Sequence, residues 1–98
     1  MKENKTFKEY YEIRNANDMY GLCGTYESKE KALAEINRSY VYAKERGYDN
    51  KHEKYIIICN QVCKVVSDQG AFLKEEICRF VIENVEYSEY DEEFVFAY

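Results

Sequence analysis

The sequence predicts a two-layer α+β domain in which one helix packs on an antiparallel sheet. Three observations predict it: apolar residues alternate with polar ones near the N-terminus, recur at helical spacing in the middle, and form two long β-branched runs in the second half. The 98 residues suit one domain, 1–98. We therefore expect the element order ββαββ(β).

The first hairpin begins with a strand over Thr6–Arg14. Its apolar residues share one parity, as in a strand with one covered face: Phe7, Tyr11 and Ile13. Asn15–Asp18 has the composition of a turn. A second strand is expected over Met19–Tyr26, where Gly21 and Gly24 indicate a bulge or a kink.

The helix is predicted from an N-cap at Ser28 to about Arg46, and Gly47 suits the left-handed position that follows a helix. The apolar residues of its sheet-facing side are Ala32, Leu33, Ile36, Tyr40 and Ala43.

The second hairpin consists of the strand Tyr55–Val66, a turn at Ser67–Gly70 and the strand Ala71–Tyr87. These two strands are expected at the centre of the sheet. A short fifth strand over Phe94–Tyr98 completes the predicted order.

Two registers are open for this hairpin. The first places Cys59 opposite Cys78 and gathers most large apolar side chains on one face. A bulge at Gly70 would slip the register by one residue and place Lys64 beside Lys74, which costs stability. We therefore expect the first register.

One helix leaves the other face of the sheet open. In the expected register that face carries five apolar residues: Ile56, Ile58, Val62, Ile77 and Val81. Such a patch is too apolar to remain solvated. We expect either the C-terminal tail or a second subunit, in a homodimer, to cover it.

Targeting signals are not evident in the sequence. The basic N-terminus is followed by no apolar segment, and no apolar run approaches the ~20 residues of a membrane helix. We expect a cytoplasmic protein with no membrane partner.

Four cysteines are present: Cys23, Cys59, Cys63 and Cys78. Buried thiols are the expected state, because free cysteines behave as small hydrophobic residues. A disulfide, which requires an oxidising compartment, and a metal site that includes Cys59 and Cys63 are the two alternatives.

The sequence contains no recognisable catalytic constellation. The only histidine, His52, lies between Lys51 and Lys54 in a polar loop, and no nucleophile is near it in the sequence. Gly21–Gly24 lacks the context of a phosphate-binding loop. We expect no catalytic residue, no cofactor and no bound metal, and hence no enzyme.

The C-terminal segment 83–98 carries all of the net charge. It holds six acidic residues and no basic one, whereas the other 82 residues hold thirteen acids and fourteen bases, so that the whole chain sums to −5. Acids alternate with aromatic residues there, which is typical of a contact surface. The predicted partner-binding residues are Glu86, Tyr87, Glu89, Tyr90, Asp91, Glu92 and Glu93.

In size, charge and lack of catalytic residues, the chain resembles the small anti-CRISPR proteins of phages and plasmids, which block RNA-guided nucleases. The resemblance is one of type and is carried by the stretch Glu86-Tyr-Ser-Glu-Tyr-Asp-Glu-Glu93. It implies a protein-binding inhibitor whose carboxylates occupy a basic groove where nucleic-acid phosphates normally lie. The partner would then be a protein with such a groove, for example a CRISPR-associated nuclease.

Two other functions remain open. A small homodimeric ligand-binding or regulatory module would use a pocket near the glycine-rich segment and the open sheet face. A nucleic-acid binder would use the basic side chains of the helix, residues 29–46, with its tyrosines.

Overall fold

The computed structural model describes residues 3–19, 21 and 24–97. Within them the elements are β1 (Glu3–Asn15), α1 (Lys29–Glu45), β2 (Tyr55–Val66), β3 (Phe72–Ser88) and β4 (Glu93–Ala97). The strands form one antiparallel sheet in the order β1-β2-β3-β4. The predicted α+β class is confirmed.

The predicted strand over Met19–Tyr26 is wrong, and the element order is βαβββ instead of ββαββ(β). In the described part of this segment, only isolated bridges join it to β1, from Tyr11 to Tyr26 and from Arg14 to Gly21. Met19 has a φ of 59° and Gly24 a φ of 99°. Left-handed backbone at both positions interrupts an extended ladder. Tyr20, Leu22 and Cys23 lie outside the described residues.

The helix confirms its sequence signals. The Ser28 hydroxyl accepts a hydrogen bond from the Lys31 amide at 3.1 Å, which satisfies one of the free donors of the first turn. The buried residues of α1 are Ala32, Ile36 and Tyr40, which belong to the predicted apolar face. Gly47 follows the helix with a φ of 87°, a conformation that glycine adopts without strain.

The register of the second hairpin corrects the prediction. Cys59 lies opposite Val81 instead of Cys78, because bulges interrupt the pairing of β2 and β3 at two points. The bulge next to the turn sets Lys64 opposite Glu75. An attractive pair therefore replaces the repulsion between lysines that argued against a slipped register.

The core lies between α1 and one face of the sheet. Its fully buried side chains include Ile13 of β1, Ile36 of α1, Ile57 of β2, Val85 of β3 and Phe94 of β4. β4 confirms the predicted final strand up to Ala97, and Tyr98 lies outside the described residues; the strand lies beside β3 at the edge of the sheet. It does not cover the face opposite α1, which we call the back face.

The back face carries four of the five residues that were expected there: Ile56, Ile58, Val62 and Ile77. Val81 lies on the helix side, because the bulge at Cys78 changes the alternation of β3. Ile56 and Val62 are each only 7% exposed, whereas Ile77 on the outer strand is 54% exposed.

The molecule is elongated, with extents of 59 × 25 × 22 Å. The first residue of α1, Lys29, lies with its Nζ 3.6 Å from Oε1 of Glu83, so the helix begins beside the middle of β3. Every residue from Phe72 to Ile82 is exposed. We call Phe72–Ile82, together with the parts of β1 and β2 that lie alongside it in the sheet, the arm.

Substitution of Phe94 with alanine tests where the stability resides. We expect Phe94→Ala to lower the free energy of unfolding by about 3–5 kcal/mol, because it leaves a cavity in the core. Phe72→Ala is the matched control: this ring is 57% exposed, and its loss should cost about 1 kcal/mol or less. Urea unfolding followed by circular dichroism measures both, and equal losses would contradict this description of the core.

Candidate partner-binding site

The acidic segment forms an ordered turn between β3 and β4. The Ser88 hydroxyl accepts a hydrogen bond from the Asp91 amide at 3.1 Å, and the Ser88 carbonyl accepts one from the Glu92 amide at 2.8 Å. Glu92 closes the turn with a φ of 57°, a left-handed conformation that is uncommon for a residue other than glycine. We call residues 88–93 the acidic turn.

The far side of the acidic turn faces solvent. Glu89, Asp91, Glu92 and Glu93 are exposed, and the ring of Tyr90 is 96% exposed. Within the described part of the chain, no basic group lies within ion-pair distance of Asp91, Glu92 or Glu93. These three carboxylates are therefore available to an external cation.

The remaining acids of the segment face this molecule's own lysines. Glu83 lies 3.6 Å from Lys29. The other two pairs join Glu86 to Lys54 at 3.5 Å and Glu89 to Lys51 at 3.9 Å. Half of the six carboxylates that the sequence places in one block are thus partly neutralised by the fold, in solvent-accessible pairs of low strength.

Tyr87 supports the turn from beneath. Its ring centroid lies 5.4 Å from that of Tyr40 and 5.6 Å from that of Phe94. Partial burial and a hydrogen bond with Tyr40 raise the pKa of the Tyr87 hydroxyl. Of the predicted partner-binding residues, Tyr87 is packed against the core, and Tyr90 presents the free aromatic surface.

A side chain of α1 holds β4, the strand that follows the acidic turn. The side-chain amide of Asn37 donates to the Phe94 carbonyl at 3.0 Å, and its oxygen accepts from the Phe94 amide at 2.7 Å. One side chain thereby satisfies both backbone groups of Phe94 on the outer edge of β4. No sequence pattern singled out Asn37, because its role depends on a contact 57 residues away.

The basic side chains of the helix are largely paired. Lys31 lies 2.6 Å from Glu27, and Arg38 donates from Nε to Glu35 at 2.8 Å. The hydrogen bond from Arg38 lowers the pKa of the Glu35 carboxyl. With Lys29 also beside Glu83, much of the positive charge proposed for nucleic-acid binding is locally balanced.

A shallow hollow of about 380 Å³ lies on the back face of the arm. Its walls mix charged, aromatic and aliphatic side chains: Lys8, Tyr10, Thr25, Val62, Glu75, Glu76 and Ile77. Thr25 belongs to the glycine-containing connection after β1, so this is the region where the sequence placed a ligand pocket.

Two of the three described cysteines depart from the expected thiols. Cys63 and Cys78 form a disulfide between β2 and β3, with their Cα atoms 5.7 Å apart. The bulge places Cys78 near Cys63, a proximity that the predicted register, with Cys59 opposite Cys78, does not give. Cys59 remains a free, half-buried thiol, and its hydrogen bond with Tyr11 raises the pKa of that hydroxyl to about 12. Cys23 lies outside the described residues.

His52 is exposed, and its Nε2 lies 3.4 Å from Glu53. Among the described residues, no three His, Cys, Asp or Glu side chains cluster closely enough to hold a metal ion. The same residues contain no helix of the length and apolarity that a membrane crossing requires.

The chain matches no protein-family model, no curated protein and no solved structure.

Substitution of Asn37 tests whether the helix orders the acidic turn. Asn37→Ala removes both hydrogen bonds to Phe94, and we expect the protein to lose about 1–3 kcal/mol of stability. In this variant the Phe94 amide should also exchange with solvent faster than in the unmodified protein, and faster than the amides of β2. Asn84→Ala, on an exposed residue of β3, is the control. Unchanged exchange at Phe94 would show that Asn37 does not hold β4.

Proposed function

We propose that this protein binds another protein through the acidic turn and inhibits a nucleic-acid-handling enzyme by occupying its basic groove. One observation carries the proposal: Asp91, Glu92 and Glu93 are exposed on an ordered turn without intramolecular ion pairs among the described residues. A turn whose backbone is already ordered loses less conformational entropy when it binds than a flexible tail does.

The chemistry suits a groove that normally holds a nucleic-acid backbone. Such grooves are lined by lysine and arginine, which bind phosphates without reading bases. Clustered carboxylates attract the same cations, steer the encounter and exclude the nucleic acid. Complex formation should therefore weaken as salt concentration rises.

Tyr90 gives the contact an apolar anchor. Its ring is 96% exposed at the tip of the turn, and tyrosine adds contact area together with a polar hydroxyl. Aromatic residues that become buried at the centre of an interface often dominate its affinity. The acidic residues would then set the approach and orientation, and Tyr90 would slow dissociation.

RNA-guided nucleases are the first target class to test, because the chain resembles small anti-CRISPR proteins in size, charge and acidic segment. The inhibitor would then act without catalysis or a cofactor.

The back-face hollow supports a second candidate, a ligand-binding or regulatory module. Its volume of about 380 Å³ falls within the range of small-molecule sites. A ligand that binds there should raise the melting temperature of the protein, and this effect should persist when the acidic turn is neutralised.

Matched charge variants test the inhibitor. Glu92→Gln/Glu93→Gln removes two carboxylates from the acidic turn, whereas Glu30→Gln/Glu45→Gln removes two exposed carboxylates from α1 with the same change in net charge. We expect the turn variant to inhibit DNA cleavage by a purified RNA-guided nuclease about tenfold less well or worse, and the helix variant to match the unmodified protein.

The same assay at rising salt concentration separates local contacts from general charge. The affinity of the unmodified protein should fall more steeply with salt than that of the turn variant. Equal inhibition by both variants would rule out the acidic turn as the binding surface. A panel of guide-free and guide-loaded nucleases with no inhibition at all would rule out this target class.

A further inference from the structure

The outer edge of β3 is unpaired along most of the arm. β4 pairs only with Asn84–Ser88, and no other described strand lies beside the stretch Phe72–Glu83 on that side. The backbone donors and acceptors of this stretch are therefore open to another strand. An edge of this length is a template for strand addition.

The same stretch carries an unusual amount of exposed apolar surface. The exposed fractions are Phe72 57%, Leu73 49%, Ile77 54%, Phe80 62%, Val81 37% and Ile82 47%. Ile77, Phe80 and Ile82 pair with back-face residues of β2, so they extend the apolar back face to its outer border. Contiguous apolar surface at an open sheet edge indicates an interaction site.

We propose that a second copy of this chain pairs with this edge, β3 antiparallel to β3, about a two-fold axis between Cys78 and Arg79. The two sheets would then join into one of eight strands. The bulge determines where the axis lies. Residues that pair across two strands must point to the same face of the sheet. In β3 the extra residue Cys78 shifts the alternation, so that back-face residues are odd-numbered before it and even-numbered after it. All pairs along the contact therefore match in face only when the bulges of the two copies lie opposite each other.

This arrangement makes the edge complementary to itself. On the back face, Ile77 of each copy lies opposite Phe80 of the other, so both exposed side chains become covered. On the helix side, Lys74 of each copy lies opposite Glu83 of the other. These two pairs are complementary at symmetry-related positions on the two sides of the axis, while Glu75 lies opposite Ile82 and Glu76 opposite Val81.

Arg79 is the residue whose charge most favours pairing with a second copy. This exposed arginine makes no ion pair or hydrogen bond with the described residues, while Glu76 on the same face lies 3.5 Å from Lys74. In the dimer Arg79 lies diagonal to Glu76 of the other copy, a separation that long side chains span. The contact therefore supplies Arg79 with a carboxylate partner.

The pairing leaves the rest of the molecule free. It uses Lys74–Glu83, which ends where β4 begins to pair with β3 at Asn84. The acidic turn lies beyond that point, between β3 and β4. One dimer would therefore display two acidic turns, and the dimer stands or falls independently of the proposed inhibitor.

Charge reversal tests the dimer. Sedimentation equilibrium over a wide concentration range should show the unmodified protein as a reversible dimer. Arg79→Glu and Glu76→Arg should each raise the dissociation constant at least about tenfold, since like charges would face each other across the strands. Arg79→Glu/Glu76→Arg together should restore dimerisation. Arg46→Glu, on an exposed arginine after α1, should leave it unchanged.

A mixed-isotope cross-link fixes the register. Equal amounts of ¹⁴N- and ¹⁵N-labelled protein, treated with a carbodiimide, should give mixed-label peptides that join Lys74 to Glu83. A monomer at every concentration, a dimer that Arg79→Glu does not weaken, failure of the double variant to restore it, or cross-links between other segments only would overturn the proposal. Capture of a different protein's strand by a monomeric chain would do the same.

Discussion

The placement of Phe94 is the constraint on which the rest of the structure depends. Its ring lies fully buried among Tyr40, Tyr55 and Tyr87, with centroid distances of 5.4 to 5.6 Å. Its backbone amide and carbonyl form two hydrogen bonds with the Asn37 side chain, on the edge of β4 that faces away from β3. This one residue therefore joins the helix, the sheet and the end of the acidic turn, and it converts a charged C-terminal segment into a fixed surface.

The two ends of the sheet follow from that packing. At one end α1 covers one face of the strands, which buries the core and supports the acidic turn. At the other end β3 continues beyond the helix, and Val81 on the helix side stays 37% exposed, while Phe80 on the back face is 62% exposed. A single helix of 17 residues cannot cover strands that extend over a 59 Å molecule. This mismatch in length leaves part of the helix side uncovered, and no described helix packs on the back face.

The fold partly neutralises the acidic block that the sequence contains. The acidic block is complete along the chain, yet Lys51 and Lys54 approach it from the loop after α1 and face Glu89 and Glu86. Only the carboxylates at the end of the turn keep their full attraction for a partner. The basic helix changes in the same way, because glutamates such as Glu35 lie one turn from its cations.

The sequence by itself determined the elements whose signals are local: the alternation that makes β1, the cap at Ser28 and periodicity of α1, the β-branched runs of β2 and β3, and the acidic composition of the turn. The tertiary structure alone decided the loss of the strand after Asp18, the bulged register, the disulfide of Cys63, the half-buried position of Tyr87 and the hydrogen bonds of Asn37 to Phe94. The physical reason is range. Periodicity reports which face of an element is apolar, whereas bulges, partners and free edges depend on contacts between residues that are distant in the chain.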